Sequence, residues 1–253
     1  MGKKCLAKRI IALICLLIAF SFGLFVYAKT FTNNDGYKVG FYSPYTDELP
    51  VINDVKIEKY DYQKEIQNLK EYYQNDDIVG KLIIDGTDID EPILQGKDNS
   101  YYLNHNAYGN YQAEGSVYED YRTKIGDKKV LIFGHSSPGW DVPFNELEKY
   151  YDKSFYDNHK EIKVVTENGI TVYEIFSVHV ETSDFTYMNI HIDTDTYNSY
   201  LKKYQDRSFY KTTATVNDND QILLLQTCSN KSEYQGYNKK FLLVIAKKIR
   251  EVK

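Results

Sequence analysis

Short apolar runs alternate with polar turn residues over most of the chain after residue 75, and this pattern predicts a protein built mainly from β-strands. Turn signals at Asp85-Gly86, Gly126-Asp127 and Asn168-Gly169 separate several of the runs, and the last is a strong hairpin signal because strands flank it directly. Eight strands are predicted: Ile78–Ile84, Ile89–Leu94, Ser116–Tyr118, Val130–Phe133, Ile162–Thr166, Val172–His179, Gln221–Thr227 and Phe241–Ala246.

Three segments have helical rather than strand-like spacing. Tyr60–Gln74 places apolar residues at Ile66, Leu69 and Tyr73, and shorter helices are predicted near Pro143–Tyr150 and Asp195–Tyr204. Many strands with a few peripheral helices indicate a mixed, mainly antiparallel barrel or sandwich.

An uncharged apolar run, Ile10–Ala28, lies near the N-terminus. As a helix it would span about 28 Å, close to the hydrocarbon thickness of a bilayer. Basic residues precede it, so the positive-inside rule places residues 1–9 in the cytoplasm and the rest of the chain outside the cell. A cleaved signal peptide is the alternative, since Val26–Ala28 is a weak cleavage site, but signal peptides usually have shorter apolar runs. We expect an uncleaved anchor at 10–28, followed by a polar linker or stalk at 29–55.

Composition and charge narrow the function. A chain of 253 residues with 42% hydrophobic and 26% charged residues has globular proportions, which exclude a wholly disordered protein. The net charge is −5, yet residues 1–28 carry four basic and no acidic side chains, so the body is more acidic than the whole. An acidic body argues against nucleic acid as the main partner.

The body after the apolar run contains a single cysteine, Cys228, because Cys5 and Cys15 lie beside or within that run. One thiol outside the cell cannot form an internal disulfide. It is a buried passenger, half of an intermolecular bridge, or a reactive nucleophile.

Three strand ends carry candidate chemistry. Cys228 ends the apolar run that begins at Gln221, His135 follows Val130–Gly134, and Lys240 opens the final apolar strand. A thiol nucleophile needs a base, and a cation can stabilise an oxyanion. Each residue also has a purely structural interpretation: a small buried hydrophobe, a surface histidine, and an edge lysine that discourages aggregation. The sequence contains no metal-binding motif and no phosphate-binding loop, so no metal or cofactor is predicted.

The order of these motifs resembles the sortase family, and class B most closely. The resemblance covers roughly Tyr60 to Lys247. It rests on the apolar N-terminal run, the Gly-His strand end, the Thr-Cys pair after an apolar strand, the basic residue opening the last strand, and five further segments: Ile84–Gly96, Asp98–Leu103, Gly115–Tyr118, Phe144–Phe155 and Tyr173–Val178. The helix at Asp195–Tyr204, before the cysteine strand, is a class B feature.

The resemblance implies a membrane-anchored cysteine transpeptidase of Gram-positive bacteria, with a catalytic domain at 56–253 folded as an eight-stranded β-barrel. Such enzymes cleave a C-terminal sorting signal after Thr, form a thioester, and pass the protein to an amine of cell-wall precursor or pilin. Carried over to this chain, Cys228 is the nucleophile, His135 the general acid and base, and Lys240 the third catalytic residue. The implied peptide-binding residues are Asn99, Leu103, Tyr187, Gln226 and Thr227.

Two positions depart from the family pattern. Lys240 stands where sortases carry an arginine, and lysine lacks the bidentate fork of a guanidinium. Gln226 stands where a small residue is usual. Two alternatives therefore stay open: a catalytically weak sortase-like scaffold, and a hydrolysing cell-wall cysteine peptidase. The second is disfavoured because His135 precedes Cys228 in the chain, whereas such peptidases usually have the reverse order.

Overall fold

Eight strands close into a single barrel in the part of the chain that the computed structural model describes, residues 60–190 and 193–253. Around the barrel the strands follow the order β1-β2-β3-β4-β7-β8-β6-β5, and β1 pairs with β5 to close it. The strands are β1 (Ile78–Ile83), β2 (Asp90–Leu94), β3 (Tyr118–Glu119), β4 (Lys129–Phe133), β5 (Glu161–Thr166), β6 (Gly169–Glu181), β7 (Ile222–Cys228) and β8 (Phe241–Val252). The closed barrel confirms the predicted fold and decides between the barrel and the sandwich.

All eight predicted strands occur, most of them within one or two residues of the predicted bounds, but β6 and β8 are much longer than predicted. β6 and β8 extend well past their apolar runs because they pair with each other from Ile170–Val252 to Glu181–Phe241. Pairing across the barrel sets the ends of these strands, and hydrophobicity gives no signal for such pairing. β3 is shorter than predicted because it has only a brief pairing with β2 and β4.

Helices cover parts of the barrel. The described helices are α1 (Tyr62–Tyr73), α2 (Lys153–Asn158) and α3 (Thr194–Arg207), with 3₁₀ helices at Pro143–Tyr151, Phe185–Met188 and Ser232–Tyr234. The side chain of Asp61 caps the start of α1 by accepting from the Lys64 amide. The helix predicted near Pro143 is a 3₁₀ helix rather than an α-helix, and α2 and the two shortest 3₁₀ helices were not predicted.

Two strand pairs are parallel, β2 with β3 and β4 with β7, while all other described pairs are antiparallel. In the second pair Lys129 faces Ile222 and Phe133 faces Gln226. Parallel neighbours end at the same edge of a sheet. The residues that follow β4 and the last residues of β7 therefore meet at one edge of the barrel.

β7 is buried on both faces, which makes its end a rigid support. Leu223 and Leu225 belong to a core cluster with residues from strands on all sides of the barrel. Ile222 and Leu224 belong to a second cluster on the opposite face, which α3 covers. Tyr197, Leu201 and Tyr204 form the packing stripe of α3, at the spacing of one helical face.

None of the helices in residues 60–190 and 193–253 has the length and hydropathy that a membrane span requires. The predicted anchor at 10–28 and the predicted linker at 29–55 lie outside these residues.

Candidate active site

Cys228 lies at the end of β7 with its side chain exposed as a free thiol. It pairs with Phe241, the first residue of β8. The buried strand before it and the paired strand beside it hold the thiol at the surface on a rigid scaffold. This placement excludes the interpretation of Cys228 as a small buried hydrophobe.

The two residues before Cys228 connect β7 to its surroundings. Thr227 is 1% exposed, and its Oγ1 donates to the Gly134 carbonyl at 2.8 Å. The side-chain oxygen of Gln226 accepts from the Tyr187 hydroxyl at 2.8 Å. Thr227 therefore joins the ends of β4 and β7, and Gln226 joins β7 to the Phe185–Met188 helix.

His135 follows β4 on the strand neighbouring Cys228. Phe133 pairs with Gln226, and the Gly134 amide donates to the Gln226 carbonyl at 3.2 Å. Continuing this register places His135 beside Cys228, and neighbouring strands are about 4.8 Å apart. In the described residues no hydrogen bond joins the thiol to the imidazole. Catalytic hydrogen bonds are often long before a substrate binds.

The backbone fixes the orientation of the His135 ring. Its Nε2 lies 2.8 Å from the Leu103 carbonyl oxygen. Because a carbonyl oxygen only accepts, Nε2 carries the proton and Nδ1 is left to exchange a proton with another group. Trp140 packs edge-on against the ring with centroids 5.9 Å apart. A carbonyl thus takes the orienting place that an acidic side chain holds in many catalytic triads.

Gly134, between β4 and His135, approaches the Pro143–Tyr151 helix closely. A Cβ atom at this position would lie 2.7 Å from the ring of Phe144. A glycine is therefore required here by packing rather than by an unusual backbone angle.

Lys240 lies across from Ser229, the residue after Cys228, and immediately before β8. Its carbonyl accepts from the Ser229 amide at 2.9 Å, which continues the β7–β8 ladder one position beyond Cys228. No salt bridge engages its ammonium group within residues 60–190 and 193–253. The neighbouring Lys239 points elsewhere, with its Nζ 5.3 Å from the centre of the Phe185 ring.

Two opposing effects act on the thiol. Desolvation by the surrounding protein raises the pKa of Cys228, and the Lys240 charge partly offsets this rise. The thiol is therefore mostly protonated at neutral pH, and attack on a carbonyl requires a base to remove the proton. Burial and the nearby Cys228 raise the pKa of Tyr187, which places that phenol close to the thiol.

The arginines of the barrel serve elsewhere. Arg122 pairs with Asp120, Arg207 with Glu181 and Arg250 with Glu161. The cation that influences the pKa of Cys228 is Lys240. Nothing in the described residues groups His, Cys, Asp and Glu into a metal site.

The predicted groove residues lie in three segments, one of which, Gln226 with Thr227, belongs to β7. Leu103 is 43% exposed, and its carbonyl is the partner of His135. Asn99 is half-buried, because its amide donates to Asp120 at 3.0 Å and its oxygen accepts from the Tyr121 amide. Tyr187 is buried, and its hydroxyl donates to Gln226. Leu103 is thus the predicted side chain most open to a peptide.

A hydrogen-bond network that was not predicted links the loops after β4 and β7. The Asn145 oxygen accepts from the Ser136 hydroxyl and the Ser137 amide, and its nitrogen donates to the Trp140 carbonyl at 2.7 Å. Ser136 also accepts from the Asn230 amide at 2.7 Å. The sequence does place polar residues just after His135 and Cys228. Which of them hydrogen-bond to each other depends on how the fold brings the two loops together.

The family becomes clear from comparison with known proteins. A family model described as the sortase domain matches residues 82–249, well over half of the chain. The chain belongs to the sortase family. This sortase is 37% identical over 196 residues to sortase B of Listeria monocytogenes, covering 76% of each chain. It is 30% identical over 179 residues to sortase B of Staphylococcus aureus, covering 70% of this chain and 72% of the relative.

Solved class B structures share the fold of this sortase. A mutant form of Clostridium perfringens sortase B superposes with a TM-score of 0.67 at 28% identity, covering 74% of this chain and 87% of that one. A Staphylococcus aureus sortase B–substrate complex gives a TM-score of 0.66 at 27% identity, with coverage of 74% and 86%. A sortase B complexed with triglycine gives 0.63 at 28% identity, with coverage of 74% and 94%. These similarities confirm the class B resemblance and support a transpeptidase of the sortase type.

Proposed function

We propose that this chain is a cell-surface cysteine transpeptidase that cleaves a C-terminal sorting signal after Thr and transfers the protein to an amine. The observation that carries the proposal is the parallel pairing of β4 with β7. It brings His135 to the edge where Cys228 is exposed, and Lys240 lies at the same edge, immediately before β8. A surface scaffold has no need for this arrangement.

Two related structures support the choice of substrates. One sortase B was solved with its substrate and another with triglycine, a peptide with a free amine. In this chain the sorting signal would lie between the Asn99–Leu103 segment and the Phe185–Tyr187 segment. An amine of a peptidoglycan precursor or of a pilin would accept the acyl group.

In the first half-reaction, the Cys228 sulfur attacks the Thr carbonyl carbon while His135 Nδ1 takes the thiol proton. The raised pKa of Cys228 favours this concerted general-base route over a preformed thiolate. The tetrahedral oxyanion then collapses, the C–N bond breaks, and His135 returns the proton to the leaving amine. The product is a thioester between Cys228 and the Thr carbonyl.

In the second half-reaction, the acceptor amine attacks the thioester carbonyl and loses a proton to His135 Nδ1. The C–S bond breaks, and His135 gives the proton back to the thiolate. The Leu103 carbonyl holds Nε2 throughout, so the imidazolium that forms twice per cycle is stabilised at the same place.

Lys240 takes the part of the family arginine. Its ammonium is close enough to the thiol to lower the pKa of Cys228, so it can also donate to the oxyanion that forms on the neighbouring carbon. Because an ammonium donates as a point charge, Lys240 holds the substrate carbonyl with less directional constraint than a guanidinium would.

The location of the enzyme is part of the proposal. We place the catalytic domain outside the cell, held by a single-pass helix at 10–28 with residues 1–9 in the cytoplasm. The apolar run with basic residues before it supports this orientation. Protease treatment of intact cells tests it: the catalytic domain should be digested while a tag at the N-terminus stays protected.

The central test uses the full-length chain and a panel of quenched sorting-signal peptides, including Asn-Pro-x-Thr and Pro-x-Thr-Gly types, with intact-mass detection of the acyl-enzyme. We expect an adduct with at least one peptide, its loss in Cys228→Ala, and no cleavage in His135→Ala. Lys240→Met should slow acylation about 10²–10³-fold, as removal of an oxyanion donor does. Lys202→Met is the matched control, because Lys202 is an exposed lysine on α3 that pairs with Asp206, and it should acylate at close to the wild-type rate.

Three results would contradict the proposal. No adduct with any peptide, together with a Cys228 inert to alkylation, would favour the scaffold. If water hydrolyses the thioester adduct even when triglycine, amidated stem peptide and pilin lysine peptides are saturating, the hydrolysing peptidase would be favoured. Equal acylation rates for Lys240→Met and Lys202→Met would remove Lys240 from the catalytic residues.

A further inference from the structure

The 3₁₀ helix at Phe185–Met188 forms one wall of the active site. Its Phe185 ring contacts Phe241, the strand partner of Cys228, with centroids 5.8 Å apart. Its Tyr187 hydroxyl donates to Gln226, two residues before the nucleophile. A shift of this helix would therefore change the space beside the thiol.

Two cations hold three successive carbonyl groups at the end of this helix. Lys129 Nζ donates to the Tyr187 carbonyl at 2.6 Å and to the Asn189 carbonyl at 2.8 Å. Arg122 Nη2 donates to the Met188 carbonyl between them at 3.3 Å. Carbonyls at the end of a helix lack partners within the helix, and cations near that end interact favourably with its dipole.

Lys129 is an unusual residue for its position on β4. It is 4% exposed, and burial together with the Arg122 charge lowers its pKa to about 7. Its third contact is the Tyr204 hydroxyl at 3.5 Å, and no carboxylate pairs with it in the described part of the chain. A buried ammonium without a carboxylate is costly, and an apolar side chain could fill the space at lower cost. The contacts that Lys129 makes all lead to the Tyr187–Asn189 backbone or to α3.

Arg122 extends the connection to the other wall. Its guanidinium forms a two-point contact with Asp120, whose side chain is fully buried. The same carboxylate accepts from the Asn99 amide at 3.0 Å. One Asp120–Arg122 pair thus connects the Asn99 segment to Met188, and both segments flank the proposed peptide groove.

We propose that Lys129 and Arg122 are positioning residues that fix the Phe185–Asn189 wall relative to the Asn99–Leu103 wall, and so set the groove that receives the sorting peptide. The role in peptide binding rests on the proposed function, whereas the clamp on the backbone does not. Neither residue touches the reacting atoms, so the chemical step should depend on them much less than peptide binding does.

The experiment compares Lys129→Met with Lys128→Met in the full-length chain. Lys128 is the adjacent exposed lysine, and its Nζ lies over the Tyr197 ring of α3 rather than at the end of the Phe185–Met188 helix. Hydrogen–deuterium exchange of residues 185–190 should be at least ~10-fold faster in Lys129→Met and unchanged in Lys128→Met. KM for the sorting peptide should rise about 5–10-fold in Lys129→Met, with kcat within about 2-fold of wild type.

Arg122→Gln is the milder second variant, because Arg122 is partly exposed and its loss leaves Lys129 in place. It should raise KM in the same way, and Arg122→Lys should restore only part of the affinity because lysine cannot make the two-point contact with Asp120. Thermal unfolding identifies any variant that fails to fold. If one of Lys129→Met and Arg122→Gln fails, hydrogen–deuterium exchange at residues 185–190 in the other decides whether the clamp exists.

Unchanged exchange at 185–190 in both Lys129→Met and Arg122→Gln would overturn the clamp. Faster exchange with an unchanged KM, or a fall in kcat at constant KM, would overturn its role in peptide binding. A wild-type chain that cleaves no peptide would refute the proposed function instead, and the exchange comparison would still decide the clamp.

Discussion

Glu119 gives a pH-dependent stability that can be measured without any substrate. It lies on β3 with 1% of its surface exposed, and its carboxyl accepts from the Thr123 hydroxyl at 3.0 Å. Burial raises the pKa of Glu119 from 4.5 to about 7, the nearby Asp127 and Asp120 charges add to the rise, and the Thr123 and Ile125 hydrogen bonds oppose it.

The direction of the pH effect follows from proton binding. Between pH 4.5 and 7 the folded protein keeps the Glu119 proton while the unfolded chain has lost it. The folded state binds more protons, so this group makes the free energy of unfolding fall as pH rises through that range. One pKa step corresponds to about 1.4 kcal/mol, so a rise from 4.5 to about 7 amounts to about 3 kcal/mol.

Glu119→Gln removes the titration while its side-chain oxygen can still accept from Thr123. We expect the variant and the wild type to have similar free energies of unfolding at pH 4. At pH 8 the variant should be more stable by about 3 kcal/mol, because the wild type then buries a charge. Urea unfolding at several pH values measures the difference, and taking the difference cancels the other titrating groups.

Glu71→Gln is the control, because Glu71 is exposed on α1, and its effect should stay within about 0.5 kcal/mol at every pH. The reasoning would be refuted if Glu119→Gln were less stable than the wild type at pH 8, or if the gap between them did not change with pH.

Three further substitutions test the scaffold of the site. Thr227→Val removes the hydrogen bond from the Thr227 hydroxyl to the Gly134 carbonyl, so it should lower the free energy of unfolding by about 1–3 kcal/mol and slow acylation. Thr227→Ser keeps the hydroxyl and should have a smaller effect on both; a larger effect of Thr227→Ser would contradict a role for the hydroxyl. Gly134→Ala should cost about 1–3 kcal/mol in urea unfolding because its methyl meets Phe144, whereas Gly236→Ala, with open space around it, should cost little. Asn145→Ala should lower kcat by releasing the loop after β4, whereas Asn145→Asp keeps the acceptor oxygen and should lower it less; equal kcat values for both variants would argue against the network.

Local signals predicted which segments form strands, because apolar runs bounded by Gly and Asp mark them whatever their partners are. The apolar run at Ile222–Leu225 predicted a strand, and the structure confirms the strand and shows these residues buried. The ends of β6 and β8 could not be predicted, because pairing between the two strands across the barrel sets them. The same holds for the parallel pairing of β4 with β7, which depends on the whole topology.

Some residues of the candidate site could likewise be predicted from local sequence, and others could not. The thiol, the imidazole and the lysine could be predicted because each stands at the end of an apolar run. The Leu103 carbonyl that orients His135 could not, because every residue has a carbonyl and side-chain type carries no signal for it. Lys129 was likewise included in no prediction, since a lysine before an apolar run usually faces solvent.

The pairing of β4 with β7 also bears on how the enzyme acquires its activity during folding. The strands that carry His135 and Cys228 are neighbours in space but are separated by about 90 residues of chain, so their contact forms only after a large loop has closed. Synthesis proceeds from the N-terminus, so β7 is made after the first six strands of the barrel. The thiol therefore meets its base only once β7 has paired with β4, and an intermediate without that pairing has no means of forming a thioester.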